Sequence, residues 1–103
     1  MSHSRIDRVN ELLHREVAGS LYRCVQSDEF DHAACTVLRV STSPDLRQAT
    51  VYVSIYGKSE AQAHRMVAIL VGHRKAIQAD VYSKVTFKYS PYLKFERDAS
   101  VAE

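Results

Sequence analysis

The amino-acid sequence predicts an α+β fold, one three-stranded sheet with its helices packed on a single face. Three observations carry this. Two stretches repeat apolar residues at the three-to-four spacing of helices, "QATVYVSIY" (48–56) alternates residue by residue as a strand does, and a Ser43-Pro44-Asp45-Leu46 turn separates it from another β-branched run. The resulting order is helix, strand, strand, helix, helix, strand, which suits one sheet with a helical layer. At 103 residues the chain has the length of one domain and can bury a core without disulfide or metal staples.

The first helix spans residues 5–25, with Ile6, Val9, Leu13, Val17, Leu21 and Cys24 on one stripe and Arg5, Arg8, Glu11, Arg15 and Glu16 on the other side. Ser4 and Asp7 have the spacing of a capping box. Gly19, inside the pattern, costs about 1 kcal/mol relative to alanine. "QSDEFDHA" (26–33) is polar and acidic and reads as a loop. "CTVLRVST" (35–42) is the first strand. Pro44 presets φ for the turn, and the Asp45 side chain can bond the backbone that follows it. In the second strand Val51, Val53 and Ile55 face one way, and Tyr52, Ser54 and Tyr56 the other.

Ser59 is the expected N-cap of a helix over 61–71, with Met66, Ile69 and Leu70 inward. Gly72 interrupts, and a further helix follows over 73–85, with Ala76, Ile77, Val81 and Val85 inward. "VTFKY" (85–89) alternates and is expected to be the third strand, followed by a bend at Pro91 in "SPYLKFE" (90–96). Residues 1–97 form the domain and 98–103 a flexible tail.

Several function classes find no support. "MSHSRIDRVN" lacks the apolar core of a secretory signal, and no apolar run approaches the ~20 residues of a membrane span. Cys24 and Cys35 form no CxxC pair and read as reduced thiols of a cytoplasmic protein. The five histidines share no metal-ligand spacing, no GxSxG, P-loop or GxGxxG occurs, and the one acidic group, Asp28, Glu29 and Asp31, falls in a loop. The expectation is therefore no enzyme, no metal, no cofactor and no small-molecule substrate.

Charge is the informative feature. The net charge is only +2, yet residues 1–32 carry 4 basic against 6 acidic groups, while residues 57–97 carry 8 basic against 3 acidic. Such asymmetry suits a polyanion. The candidate phosphate contacts are His73, Arg74 and Lys75, where a helix start offers free N–H groups and a positive dipole end. Lys58, Arg65, Lys84, Lys88 and Lys94 join them, with Arg47 beside the turn. Contacts of this kind position a protein on nucleic acid without reading sequence. Tyr52, Tyr56, Tyr89 and Tyr92 are on or near strands and read first as packing groups, with base stacking as the alternative.

Three stretches in order, "RIDRVNELLHREVAGSL", "VSTSPDLRQATVYVSIYG" and "YSPYLKFERDAS", together resemble the ribosome-binding factor A family of bacteria. The resemblance covers nearly the whole chain. It implies a KH-like fold of the type II arrangement and a non-catalytic factor that binds the free 30S small ribosomal subunit. It further implies help in late maturation, including processing of the 16S rRNA 5′ end, and a link to growth in the cold. Two features depart from the family pattern. His73-Arg74-Lys75 follows Gly72 where the family has an Ala-x-Gly kink, and the sequence stops at Glu103 where members often continue past the Asp-x-Ser with another apolar segment. The GxxG clamp of ordinary KH domains is absent too, so RNA contact should be led by charge. Nothing in the sequence calls for a dimer, and a monomer is expected. The rival readings are a generic KH-like RNA-binding module and an α+β protein-interaction domain.

Overall fold

Ser4 caps the first helix: its hydroxyl accepts from the Asp7 N–H, and the Asp7 carboxylate accepts from the Ser4 N–H. A computed structural model describes residues 4–98. The elements are α1 (Arg5–Cys24), a 3-10 turn (His32–Ala34), β1 (Cys35–Thr42), β2 (Gln48–Ile55), α2 (Glu60–Gly72), α3 (Arg74–Lys84) and β3 (Tyr92–Arg97). The sheet order is β1-β2-β3. The first pair is antiparallel and the second parallel, with α2 and α3 as the crossover that a parallel pair needs. The α+β class and the element order match the sequence reading.

One face of the sheet is buried. Val37 and Val40 of β1, Ala49, Val51, Val53 and Ile55 of β2, and Leu93 and Phe95 of β3 meet Leu13, Val17 and Leu21 of α1, Ala63, Met66 and Leu70 of α2, and Ile77 and Val81 of α3. Val37 and Val40 are three apart yet share this face, because the register slips between Val37 and Arg39. A bulge at Leu38 makes the slip. The opposite face stays open, with Arg39, Ser41, Tyr92 and Lys94 exposed and Tyr52 half-buried beneath the Arg39 guanidinium, 4.0 Å from its ring centroid.

The turn works as its residues predict. The Ser43 N–H bonds the Gln48 carbonyl at 2.8 Å and the Leu46 N–H bonds the Ser43 carbonyl at 2.9 Å. Asp45 accepts from the Ser43 hydroxyl (2.7 Å) and the Arg47 N–H (3.1 Å), and these bonds hold its carboxyl below the usual carboxylate range. Leu46 absorbs the reversal with φ of 61°.

The third strand is displaced from the expected position. Residues 85–89 form an irregular segment, and β3 is Tyr92–Arg97. Val85 and Phe87 are half-buried, which explains their alternation, but Phe87 packs edge-on to Tyr82 rather than joining the ladder. The physical reason lies in the parallel pairing. After α3 the chain must return to the start of β2 before it can pair, and the Tyr92 N–H reaches the Arg47 carbonyl there at 2.8 Å. Pro91, without an N–H, immediately precedes the ladder, where no donor is required. Lys88 is consequently on a loop. Asp98, assigned to the tail, donates its N–H to Val53 and pairs with Arg39 at 3.1 Å; the rest of that tail, 99–103, is outside the described residues.

The helix break is also one residue later than expected. Gly72 closes α2 and His73, with φ −100° and ψ 9°, joins it to α3. Ala76 is exposed rather than inward, while Ile77 and Val81 are buried. A Cβ at Gly72 would meet nothing within 4 Å, and its φ is not positive. Gly72→Ala should therefore raise stability by about 0.5–1 kcal/mol through lower unfolded-state entropy and better helix propensity. Urea denaturation of the two proteins checks this, and a loss of stability would show that the joint needs glycine.

Backbone groups of both outer strands are closed by helix side chains. Asn10 accepts the Thr42 N–H at 2.9 Å and His14 donates Nε2–H to the Val37 carbonyl at 2.8 Å. On β3, Gln78 accepts the Leu93 N–H at 2.9 Å. These bonds satisfy strand groups that would otherwise template further pairing.

Candidate nucleic-acid interface

The fold separates the candidate cations: some fall at either end of the sheet, while Lys94 is on its open face opposite Thr50 and Lys84 is on α3. Arg47 precedes β2 and Lys58 follows it, so an eight-residue strand, about 25 Å long, lies between them. Because β3 is parallel to β2, Tyr92 is at the Arg47 end and Arg97 at the Lys58 end.

At the Lys58 end the charge is mixed. Lys58 pairs with Asp31 at 3.0 Å, and this contact holds the Asp31 carboxyl below its usual range. Arg65 makes no ion pair among the described residues but lines a shallow cavity with Asp28, Glu29, Asp31 and Lys58. Arg97 pairs with Glu60 at 2.7 Å. Lys84 is on the α1–α3 seam, 3.5 Å from Asp80. Asp80 is bonded by Arg23 at 2.8 Å, and mainly for that reason its carboxyl is pulled down to about 2. Lys94 is on the open sheet face, 3.2 Å from Glu96. His73 donates Nδ1–H to the Ile69 carbonyl at 2.8 Å, serving as a cap for the end of α2.

At the Arg47 end the described cations are outside ion pairs, with Asp45 acting on Arg47 at longer range. Arg47, Arg74, Lys75 and Lys88 make no ion pair among the described residues. Arg74 and Lys75 open α3, whose first turn has no acidic residue and no side-chain cap. Two cations at the positive end of a helix cost roughly 0.3–1 kcal/mol each, and a bound anion would offset that cost. The Arg74 guanidinium lies 4.0 Å over the Tyr92 ring. Lys88 is 5.7 Å from the Tyr89 ring centroid and shares a cavity with Arg5, Val9, Leu46, Phe87 and Tyr89.

Arg5, and the pairing of Tyr92 with Arg74, are what sequence reasoning missed at this end. Arg5 reads as the solvent side of a helix, and no local signal ties the start of α1 to the loop after α3. Tyr92 carried a signal as one of the tyrosines near strands, but its arginine partner is eighteen residues away in the chain.

The described residues contain no group of three or more His, Cys, Asp or Glu arranged to hold a metal, and no described helix is long and apolar enough to cross a membrane. Three histidines, His14, His32 and His73, bond backbone carbonyls. A carbonyl only accepts, so the ring nitrogen in each contact carries the proton. Both cysteines are free thiols, and burial pushes Cys35 up to about 11, against thiolate chemistry. The arrangement can hold phosphates and planar groups.

Known proteins resemble this chain over most of its length. A sequence model of the family described as ribosome-binding factor A matches residues 5–103. The chain is 32% identical over 97 residues to ribosome-binding factor A of Rippkaea orientalis, covering 94% of this chain and 75% of that protein. It is 36% identical over 94 residues to that of Parvibaculum lavamentivorans, covering 90% of this chain and 66% of that one. Among solved structures, the crystal structure of ribosome-binding factor A from Thermus thermophilus superposes with a TM-score of 0.75 at 19% identity, over 91% of this chain and 97% of that one. A homology model of the Thermus thermophilus factor, fitted into the cryo-EM map of a 30S complex with that factor, superposes with a TM-score of 0.70 at 20% identity, over 88% of this chain and 92% of that one.

Proposed function

The chain belongs to the ribosome-binding factor A family, and on that premise we propose that it is a non-catalytic assembly factor that binds the free 30S small ribosomal subunit through 16S rRNA phosphates. The observation that carries the reading is the set of unpaired cations at the turn end of the sheet: Arg5, Arg47, Arg74, Lys75 and Lys88, none of them in an ion pair among the described residues. Lys58, Lys84 and Lys94 have carboxylate partners and serve in secondary roles. The sheet and its three helices act as a rigid mount, and the "SPDL" turn holds Arg47 against the start of β3.

The factor acts as a monomer in the cytoplasm, late in subunit maturation. It supports processing of the 16S rRNA 5′ end, and this need is greatest in the cold, where RNA rearrangements are slowest. These finer roles come with the family premise.

Salt dependence of binding to purified small subunits tests the electrostatic part. Five phosphate contacts give a slope of about −4 in log K against log salt. A slope near zero would remove phosphate contact from the account.

A further inference from the structure

We propose that the Arg74–Tyr92 stack is a binding platform for one unpaired RNA base, which makes the ligand at this end a single-stranded segment rather than a duplex; the inference rests on the RNA-binding reading above. Tyr92 is the first residue of β3, on the open face, and remains 51% exposed although Arg74 covers part of its ring. The guanidinium carbon is 4.0 Å from the ring centroid. Arg74 also donates through Nη1 to Gln78 Oε1 at 3.2 Å, and that oxygen accepts the Leu93 N–H at 2.9 Å. One amide therefore anchors the arginine of α3 to the strand that carries the tyrosine.

The rest of the surround is equally tied. The Tyr82 hydroxyl donates to the Pro91 carbonyl at 2.7 Å, fixing the residue before Tyr92. The Tyr92 N–H bonds the Arg47 carbonyl at 2.8 Å. A shallow groove of about 500 Å³ runs beside the stack, with Lys75, Ser90 and Tyr82 in its walls. Platform and groove are thus formed before any ligand arrives, and little ordering cost remains for binding.

The chemistry selects the ligand. Unpaired bases stack on aromatic rings and on guanidinium planes. In a duplex those base faces are already covered, leaving only phosphates to contact. Lys75, beside the stack, is placed for the phosphate of the stacked nucleotide. An acidic peptide would satisfy Arg74 and Lys75 but would leave the half-exposed ring without a role.

The test is fluorescence anisotropy of the full chain with a labelled single-stranded oligoribonucleotide and with the same strand in a duplex, over a salt series. Tyr92→Leu should weaken single-strand binding about 5- to 100-fold, with duplex binding and the salt slope unchanged, and Tyr92→Phe should bind as the parent does. Arg74→Lys keeps the charge and loses the plane, so it should repeat the selective loss even if the leucine variant fails to fold. Equal losses on both RNAs, or no loss in folded Tyr92→Leu and Arg74→Lys proteins, would overturn the platform. So would a parent protein that prefers the duplex, or one from which polyglutamate displaces RNA as well as unlabelled RNA does. Small subunits still bound in any of these cases would leave the assembly-factor reading standing, while loss of all RNA and subunit binding by the folded parent would defeat both.

Discussion

Arg74→Ala, Lys75→Ala and Lys88→Ala combined in one chain should weaken binding to free small subunits on the order of 100-fold. Each cation near an anionic surface contributes about 1 kcal/mol, and 1.4 kcal/mol is a factor of ten. The salt slope should fall by about 3, one for each lost phosphate contact. None of the three side chains is in an ion pair among the described residues, so their removal leaves no carboxylate stranded. The matched control is Lys58→Ala with Arg65→Ala, at the mixed-charge end. Its affinity should stay within about threefold of the parent, because Lys58 already faces Asp31 and exposed pairs contribute little. Equal losses in the two variants, both folded, would show that the interface covers both ends of the sheet.

Ile77→Ala should be the most damaging single truncation on α3. The side chain is fully buried, and the Ser20 hydroxyl on α1 bonds the Ile77 carbonyl at 3.5 Å. Removing a buried isoleucine side chain to Cβ costs about 2–5 kcal/mol, a large share of the roughly 5–15 kcal/mol that holds a domain of this size. Urea unfolding should show a lower midpoint with the slope unchanged. Because α3 carries Arg74 and Lys75, affinity for the subunit should fall near the new midpoint as well. A loss below about 1 kcal/mol would mean that the α1–α3 seam relaxes around the gap and does not fix the position of α3.

Much of the fold is legible in the residues because its signals are local. The Ser4–Asp7 box, the Leu13-Val17-Leu21 stripe, the Asp45 turn and the alternation of β2 all depend on neighbours within a few residues, and all are seen as read. What fails to show is long-range. The place of β3 depends on where α3 returns the chain to β2, and the bulge at Leu38 depends on register against Val53 and Tyr52. The same division holds for the cations. Lys84–Asp80 at i,i+4 and Lys94–Glu96 on one strand face are spacings that announce a partner. Lys58–Asp31, Arg23–Asp80 and the meeting of Arg5 with Lys88 are decided by tertiary packing. Counting basic residues along the chain marks residues 57–97 but does not tell which of those cations face a carboxylate.

The central claim is selectivity for the free small subunit, and co-sedimentation of the purified protein with separated ribosomal particles in moderate salt measures it directly. The account predicts association with free small subunits and much less with large subunits or assembled ribosomes. Equal association with every RNA-containing fraction would contradict it in favour of a general RNA-binding module, and no association with any fraction would contradict it in favour of a protein-interaction domain.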